Sequence, residues 1–437
     1  MKKLLLLFIT LISFSGYTTA QDNHNAPVTA DGQVMTFTTN KTEGCRVQLT
    51  ITSDGGFTIE GVEEKATEGY SGYTLKGQEV KIYGKVKEFS APYCDITDID
   101  IKGMPTLKTL DVFGNPITSL DLSESKMMNY LVVGATNLTS LDLSLCPSLE
   151  NLNINSCKIE SLDLSGSENM VMILAKQAGL KNLNLNGAKR LDILDCSYNK
   201  LGKIDLSAVP TLTQLSCAGN ELDELDLSNV NLLVLNCNVN NLKTLDLSGQ
   251  TDLEEFGCIN NQLTTLDLTA CESLFGAMIC GNQIFNEEMT KLCLSMPEVS
   301  GASGYFTVVD LTTNTERNEC SVANVELMKA KNWDVLNYEG GMSGYDYGSP
   351  YDGMPEEQLG INDTEMTDFT VHTSVNDSKV YVAGVKAGTA IRIIDLQGKV
   401  MMTQNAAADV TVLDTGAMQK GVYFVAVGSQ SVKFVVR

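Results

Sequence analysis

The chain has 437 residues, 31 Lys and Arg against 54 Asp and Glu, a formal charge of −23, 12 cysteines and two histidines. That length implies two or more domains with ample material for a buried core. The acidic balance works against nucleic acid or an anionic membrane as partner, because phosphate contacts need clustered Lys and Arg. His24 and His372 lie far apart in sequence, which argues against chemistry built on two convergent histidines.

Lys2 and Lys3 precede an apolar run from Leu4 to Ser13, broken at Ser15-Gly16, and Thr18-Thr19-Ala20 offers a small-residue cleavage site before Gln21. Residues 1–20 therefore read as a secretory signal peptide. No later stretch approaches ~18 continuous apolar residues, so no transmembrane helix is expected in the mature chain. In 21–85, alternating segments such as Val47-Gln48-Leu49-Thr50-Ile51 and Val80-Lys81-Ile82-Tyr83 flank the turn Asp54-Gly55-Gly56. They predict a β cap sealing the apolar end of a repeat region that starts near residue 86.

From 86 to 285 the chain repeats. The unit L-D-L recurs at Asp121, Asp142, Asp163, Asp205, Asp226, Asp246 and Asp267, with Asn184 in its place once and Ile99-Asp100-Ile101 one period upstream. The period is 21, with one step of 20. Each unit succeeds a pattern such as Leu191, Leu194, Cys196, Asn199, Leu201, and ten copies open between Val86 and Leu274. A repeat this short buries its apolar face only against its neighbours, so the copies stack into a solenoid of about ten coils with one parallel sheet. At ~4.8 Å per strand the rod is roughly 48 Å long. One slot per coil reads Cys94, Asn115, Thr136, Cys157, Ala178, Asn199, Asn220, Asn240, Asn261, Asn282. A polar side chain there satisfies backbone groups where the chain turns off the strand. Ala178 cannot, so its coil is expected to be the loosest.

Cys196, Cys217, Cys237 and Cys258 occupy the inward strand position that elsewhere carries Val112, Val133, Ile154 or Ile279. Side chains on adjacent parallel strands point the same way, which suits a disulfide poorly, so these read as buried thiols acting as small hydrophobes. The repeating Asp is expected to accept backbone N–H bonds in its turn, helped by the next Ser. The alternative is a row of weak Ca²⁺ sites, although one acid per coil falls short of an oxygen cage. No cofactor is otherwise expected.

Past Asn282 the period breaks. Asn286 to Met296 and Val322 to Lys331 read as helices, Tyr305 to Asp310 and Trp333 to Tyr338 as strands, giving a mixed α/β cap over 286–339 with Trp333 in its core. Residues 340–360, rich in Gly, Pro, Asp and Tyr, read as a linker. In 361–437 seven acids balance seven bases, so the acidic character lies upstream. Strand-like runs here predict a small Ig-like antiparallel β-sandwich. The whole is mostly β, an α+β chain dominated by its solenoid.

The unit LDILDCSYNKLGKIDLS (191–207), with Cys at the inward position, resembles the leucine-rich repeats of internalin J-type bacterial adhesins and of Bacteroidetes surface proteins, over about 86–284. The order G-K-V, L-x-x-G-x-x-x-G-V-Y, K-F-V-V in the tail resembles the C-terminal sorting domain of the Bacteroidetes type IX secretion system. The matching positions are Asp395, Gly398, Lys399, Gly421, Val422, Tyr423, Lys433 and Phe434. These resemblances imply passage across the outer membrane by the type IX machinery, to the cell surface or the extracellular space. They also imply adhesion to a host glycoprotein or another bacterial surface.

In such a solenoid the outward strand residues line the concave sheet. Phe113, Tyr130, Val132, Met172 and Leu174 would form an apolar strip on coils two to five, flanked by Asn153 and Lys176, where a partner docks. The sequence holds no P-loop, G-x-S-x-G, H-E-x-x-H or strand-linked G-x-G-x-x-G, and its acids sit on scaffold positions. An adhesin, not an enzyme, is the leading reading. Self-association in aggregates or biofilm is the alternative.

Overall fold

The computed structural model describes residues 32–313, 315–339, 348–355, 369–374, 379–385, 387–396, 399–407, 410–427 and 430–436. The expected signal peptide and most of the expected linker lie outside them.

The chain begins with β1 (Val34–Thr39), β2 (Arg46–Glu60), β3 (Gly69–Thr74), β4 (Glu79–Ser90) and β5 (Ile96–Asp100). β2 alternates buried Val47, Leu49 and Ile51 with exposed or half-buried partners, as a strand covering one apolar surface must. β4 pairs antiparallel with β1 and β2. Its last residues, Glu88 to Ser90, pair parallel with β6 (Thr109–Asp111). One strand thus ends the cap and opens the solenoid, so cap and first coil share a core.

The repeats continue as β7 (Tyr130–Val132), β8 (Asn151–Asn153), β9 (Ser161–Asp163), β10 (Met172–Leu174), β11 (Asn182–Asn184), β12 (Ile193–Asp195), β13 (Gln214–Ser216), β14 (Val234–Asn236), β15 (Glu255–Gly257) and β16 (Gly276–Met278). The ladder runs Phe89, Leu110, Leu131, Leu152, Ile173, Leu194, Leu215, Leu235, Phe256, Ala277 in unbroken parallel register. Those ten rungs enclose nine full turns. Every one of these side chains is buried, and each large one stabilises the stack by about 1.5–3 kcal/mol. β9 and β11 form a second short ladder on coils four and five.

Asparagine closes the turns. Asn199 Oδ1 accepts the Leu180 N–H at 2.9 Å, while its Nδ2 donates to the Ala175 and Cys196 carbonyls, both at 2.8 Å. Asn220, Asn240, Asn261 and Asn282 repeat that pattern one coil on. The Ala178 coil is closed by its neighbours. Asn199 serves Leu180, the Ala178 N–H donates to Ala175, and the Ala178 carbonyl accepts from Ile159 at 2.8 Å. The expected loosening has no unpaired turn group behind it there. The four ladder cysteines are fully buried and carry free thiols, as do the other eight.

The far end closes with α1 (Asn286–Ser295), β17 (Gly304–Val309), α2 (Val322–Ala330) and β18 (Trp333–Asn337). β17 and β18 add two more parallel strands, carrying the register on through Phe306 and Val335. Trp333 is buried and its Nε1 donates to the Pro297 carbonyl at 2.8 Å. β19 (Ser349–Pro350), inside the stretch expected to be linker, pairs antiparallel with β18, and Tyr351 is buried against the cap.

The tail comprises β20 (Thr370–Ser374), β21 (Lys379–Ala383), β22 (Ala390–Asp395), β23 (Val400–Asn405), β24 (Val410–Asp414), β25 (Gly421–Val427) and β26 (Gln430–Val436). They form a three-stranded and a four-stranded antiparallel sheet. A separate core, including Val380, Ile391, Ile393, Leu413, Tyr423, Val425 and Phe434, lies between them. No helix among the described residues is long and apolar enough to cross a membrane.

Candidate functional site

Strand alternation decides which side chains reach the outer face of the ladder. Adjacent to the core column, the register sets Tyr130, Asn151 and Met172 in one row, and Val132, Asn153 and Leu174 in another. The apolar strip expected on coils two to five is therefore not continuous. Coil four inserts Asn151, Asn153 and Asn155 between two apolar pairs. Tyr130 and Met172 are half-buried, whereas Val132 and Leu174 keep only 9% and 7% exposure. Phe113 leans across the next coil, where a Cβ on Gly134 would meet its ring at 2.8 Å. Asn153 Oδ1 accepts the Asn155 N–H at 3.0 Å, and Asn155 Oδ1 accepts the Lys176 N–H at 2.7 Å. The Asn153 and Asn155 amides are thus fixed by the backbone.

Lys176 Nζ stands 5.2 Å from the centre of the Tyr198 ring, a cation–π distance. Tyr198 is 51% exposed and adopts φ 56°, a left-handed conformation unusual for a tyrosine. Its ring lies over Gly219, where a Cβ would meet it at 2.6 Å. Tyr93 holds the equivalent place on the first coil, 64% exposed, edge-on to Phe113 at 5.5 Å. Neither tyrosine is among the expected site residues. The signal that marks them is a position just before the asparagine slot, with glycine at the same position one coil later in each case.

Two outward acids sit among these residues, Asp111 and Asp195. Asp111 accepts from the Phe113 N–H at 3.1 Å and from Ser90 Oγ at 2.9 Å, and Asp195 accepts the Ser197 N–H at 3.0 Å. Burial, outweighing its two bonds, raises the Asp111 pKa. Burial also raises the pKa of Tyr130, with the Asp111 charge adding to it.

The acidic ladder on the opposite turn is occupied by the backbone. Asp121, Asp142, Asp205, Asp226 and Asp246 each accept the N–H of the serine two residues on, all at 2.9 Å, and Asp163 does so at 3.0 Å. The Ser144 hydroxyl and N–H hold the Asp142 carboxyl below its ordinary range, and Lys102 and then Ser123 do the same for Asp121. Among the described residues, no three His, Cys, Asp or Glu gather around one point as a metal would require.

In the tail, Asp395 and Lys399 close the β22–β23 hairpin. Asp395 Oδ1 accepts the Lys399 N–H at 2.9 Å and the Lys399 carbonyl accepts from the Asp395 N–H at 3.0 Å. Gly398, between them, lies outside the described residues. Asp395 faces Tyr423 in the β22–β25 register, and Tyr423 faces Phe434 in β25–β26 with rings 6.0 Å apart. The Tyr423 hydroxyl donates to the Gln419 carbonyl at 2.9 Å. Gly421 and Val422 start β25, and Lys433 is exposed on β26.

Similar solved structures include a leucine-rich-repeat protein of Leptospira interrogans, at 19% identity and TM-score 0.42, over 52% of this chain and 60% of that one. An internalin of Listeria monocytogenes gives 19% and 0.45, over 57% and 79% of the two chains. The functional domain of InlJ from Listeria monocytogenes, which includes a cysteine ladder, gives 15% and 0.32 over 83% and 93%. No curated protein matches the chain in sequence. Residues 370–437 match the model of a secretion system C-terminal sorting domain. The chain joins a leucine-rich-repeat solenoid to a type IX sorting tail, and the protein is secreted, to the cell surface or the extracellular space.

Proposed function

We propose that this protein is a surface adhesin whose repeats bind a host glycoprotein or a protein on another bacterial surface through their concave, outer face. The observation that carries the reading is the pair of apolar patches, Tyr130 with Val132 and Met172 with Leu174, set on either side of the coil-four asparagines. Half-exposed aromatic and Met side chains beside oriented amides are the composition of interface cores. Such a face on a rigid ladder loses little conformational entropy on docking. No catalytic role is assigned to any residue.

The test is surface binding by the purified protein to mucins, matrix proteins, glycans and itself, with and without Ca²⁺. Saturable binding to a foreign surface is expected, and Tyr130→Asp with Met172→Asp weakens it at least about tenfold, the cost of about 1.4 kcal/mol at a buried contact. Binding undiminished in that double variant removes the outer face from the reading. Binding to itself alone replaces adhesion with self-association.

A further inference from the structure

The outer face of the ladder carries one arrangement twice. On coil four Asn153 Oδ1 accepts the Asn155 N–H at 3.0 Å, and Asn155 Oδ1 accepts the Lys176 N–H of the next coil at 2.7 Å. On coil eight Asn236 Oδ1 accepts the Asn238 N–H at 3.2 Å, and Asn238 Oδ1 accepts the Ile259 N–H of the next coil at 2.6 Å. These bonds occupy the carbonyl end of each amide and fix which end is which. The four Nδ2 groups donate to no acceptor among the described residues, and none is among the buried polar atoms that lack a partner. All four residues are half-buried, so their N–H₂ groups are open to solvent.

The backbone bond does not require an amide. Asp111 and Asp195 lie in the same row of the sheet as Asn153 and Asn236. They accept the N–H two residues on with a carboxylate, at 3.1 and 3.0 Å. What asparagine adds is a pair of uncharged donors. From coil four (151–155) to coil eight (234–238) the outward positions hold one cation and one anion, Lys176 and Asp195. Their charges cancel, so this stretch is neutral in a chain of charge −23.

Two apolar side chains stand beside the amides in left-handed backbone. Tyr198 and Val239 have φ 56° and 55° and are 51% and 45% exposed, while Gly219 and Asn260 fill the same slot one coil after each. That conformation costs a bulky or β-branched residue more than Gly or Asn. The fold alone therefore does not select Tyr198 and Val239, and strain kept at an exposed position points to a use.

We infer that the two amide pairs, with Tyr198 and Val239, form a site for a neutral oligosaccharide, the glycan of the glycoprotein partner. Hydroxyl and ring oxygens accept from the Nδ2 groups, and the C–H faces of the sugars pack on Tyr198 and Val239. At ~4.8 Å per coil the pairs stand roughly 19 Å apart, so a chain of linked sugar rings reaches both and a monosaccharide does not. A charged polypeptide gains no net charge pairing from a face whose two charges cancel. The inference rests on the reading that the outer face binds a glycoprotein, and it names the part that is held.

The probe is the set of mucin O-glycans, released and desialylated, added to the full chain carrying ¹⁵N-labelled asparagine. The same glycans with sialic acid retained and the deglycosylated mucin polypeptide are the controls. The neutral glycans are expected to shift the side-chain N–H₂ resonances of Asn153, Asn155, Asn236 and Asn238 saturably. Asn153→Asp with Asn236→Asp keeps the backbone bonds, as Asp111 and Asp195 do, and removes two donors. Glycan binding should then fall at least about tenfold, with the thermal midpoint little changed. Val239→Asn should raise the midpoint and still weaken binding. Four unmoved resonances, Asp variants that bind as the wild type does, or tighter binding of the sialylated set or the bare polypeptide overturns the inference. The two readings also fail separately. A foreign glycoprotein that binds as well after its glycans are removed keeps the adhesin reading and overturns this site. Free glycans that bind while no surface does keep this site and overturn adhesion.

Discussion

Asn220 accepts the Leu201 N–H at 3.0 Å and donates to the Cys196 and Cys217 carbonyls at 3.1 and 3.0 Å, all in the buried interior. Its replacement by Ala leaves the buried Leu201 N–H unpaired, while the Cys196 and Cys217 carbonyls keep their bonds from Asn199 and Asn240, so Asn220→Ala is expected to cost about 2–3 kcal/mol in urea unfolding. Thr136, in the same slot, donates one close bond, to the Val133 carbonyl at 2.8 Å. Thr136→Ala should cost only about 1 kcal/mol in the same assay. Glu255 gives the opposite sign of effect. Its folded pKa, about 7, stands above the unfolded value of about 4.3, so the folded state holds the proton more tightly. Its contribution to stability is full below the unfolded value and is lost as pH rises between the two. Glu255→Gln should therefore change little at pH 4 and stabilise the protein by about 3 kcal/mol at pH 8, measured by urea melts at both. The reverse window belongs to Asp142, Asp205, Asp226 and Asp246, whose pKa values are lowered by their serines. Their contribution is present above the unfolded carboxylate range and is lost as pH falls through their folded values.

Elements were legible wherever one coil dictates the next. The period placed every core strand, the asparagine slot and the inward cysteines, because stacking leaves a repeat one way to bury its leucines. Both helices and both parallel strands of the far cap were also visible in local pattern. What escaped the sequence depends on distant partners. β4 changes from antiparallel to parallel pairing within one strand because β1 and β2 cover its first part and β6 its last. The burial of Glu255 depends on a long-range neighbour row, and an outward Glu on a repeat strand looks solvated. The asparagine row also continues past the point where the period ends. Asn318 Oδ1 accepts the Ile284 N–H at 2.9 Å and its Nδ2 donates to the Ile279 and Val308 carbonyls, both at 2.9 Å. Glu316 beside it accepts the Gly281 and Asp310 N–H groups at 2.8 and 2.7 Å. Asn318→Ala should uncouple the cap, so that amides of β17 and α2 exchange before those of the central coils. Hydrogen exchange in mild urea reads this directly, and simultaneous exchange would show that the cap is held by packing alone.

The whole molecule sets a stack, in which each coil touches only its neighbours, between a β cap at one end and a mixed cap at the other. The candidate binding face was half legible at this scale. Its apolar members were identified, but their division by Asn151, Asn153 and Asn155 emerged only from the parallel register. The sorting tail has its own core, so its role is separable. A chain lacking 370–437 should remain inside the cell envelope, and fractionation that still finds it outside would remove the tail from the export route. Thiol chemistry offers a further check on the assembled stack. Burial raises the pKa values of Cys196, Cys217, Cys237 and Cys258, which keeps them in the unreactive thiol form. Cys45 alone among the 12 cysteines is not buried. A disulfide reagent at pH 8 should therefore label about one thiol in the native protein and all 12 after denaturation.

The column of thiols also sets a race during export. An unfolded chain carrying 12 cysteines that enters an oxidising compartment is open to random pairing. Any bridge between coils would lock a register the ladder cannot use. Stacking withdraws Cys196, Cys217, Cys237 and Cys258 into the core and ends their exposure, so each coil added shelters the thiol of the one before it. Propagation of the stack is thus also its protection against oxidation, and slow-folding variants should accumulate as crosslinked species before any loss of equilibrium stability shows.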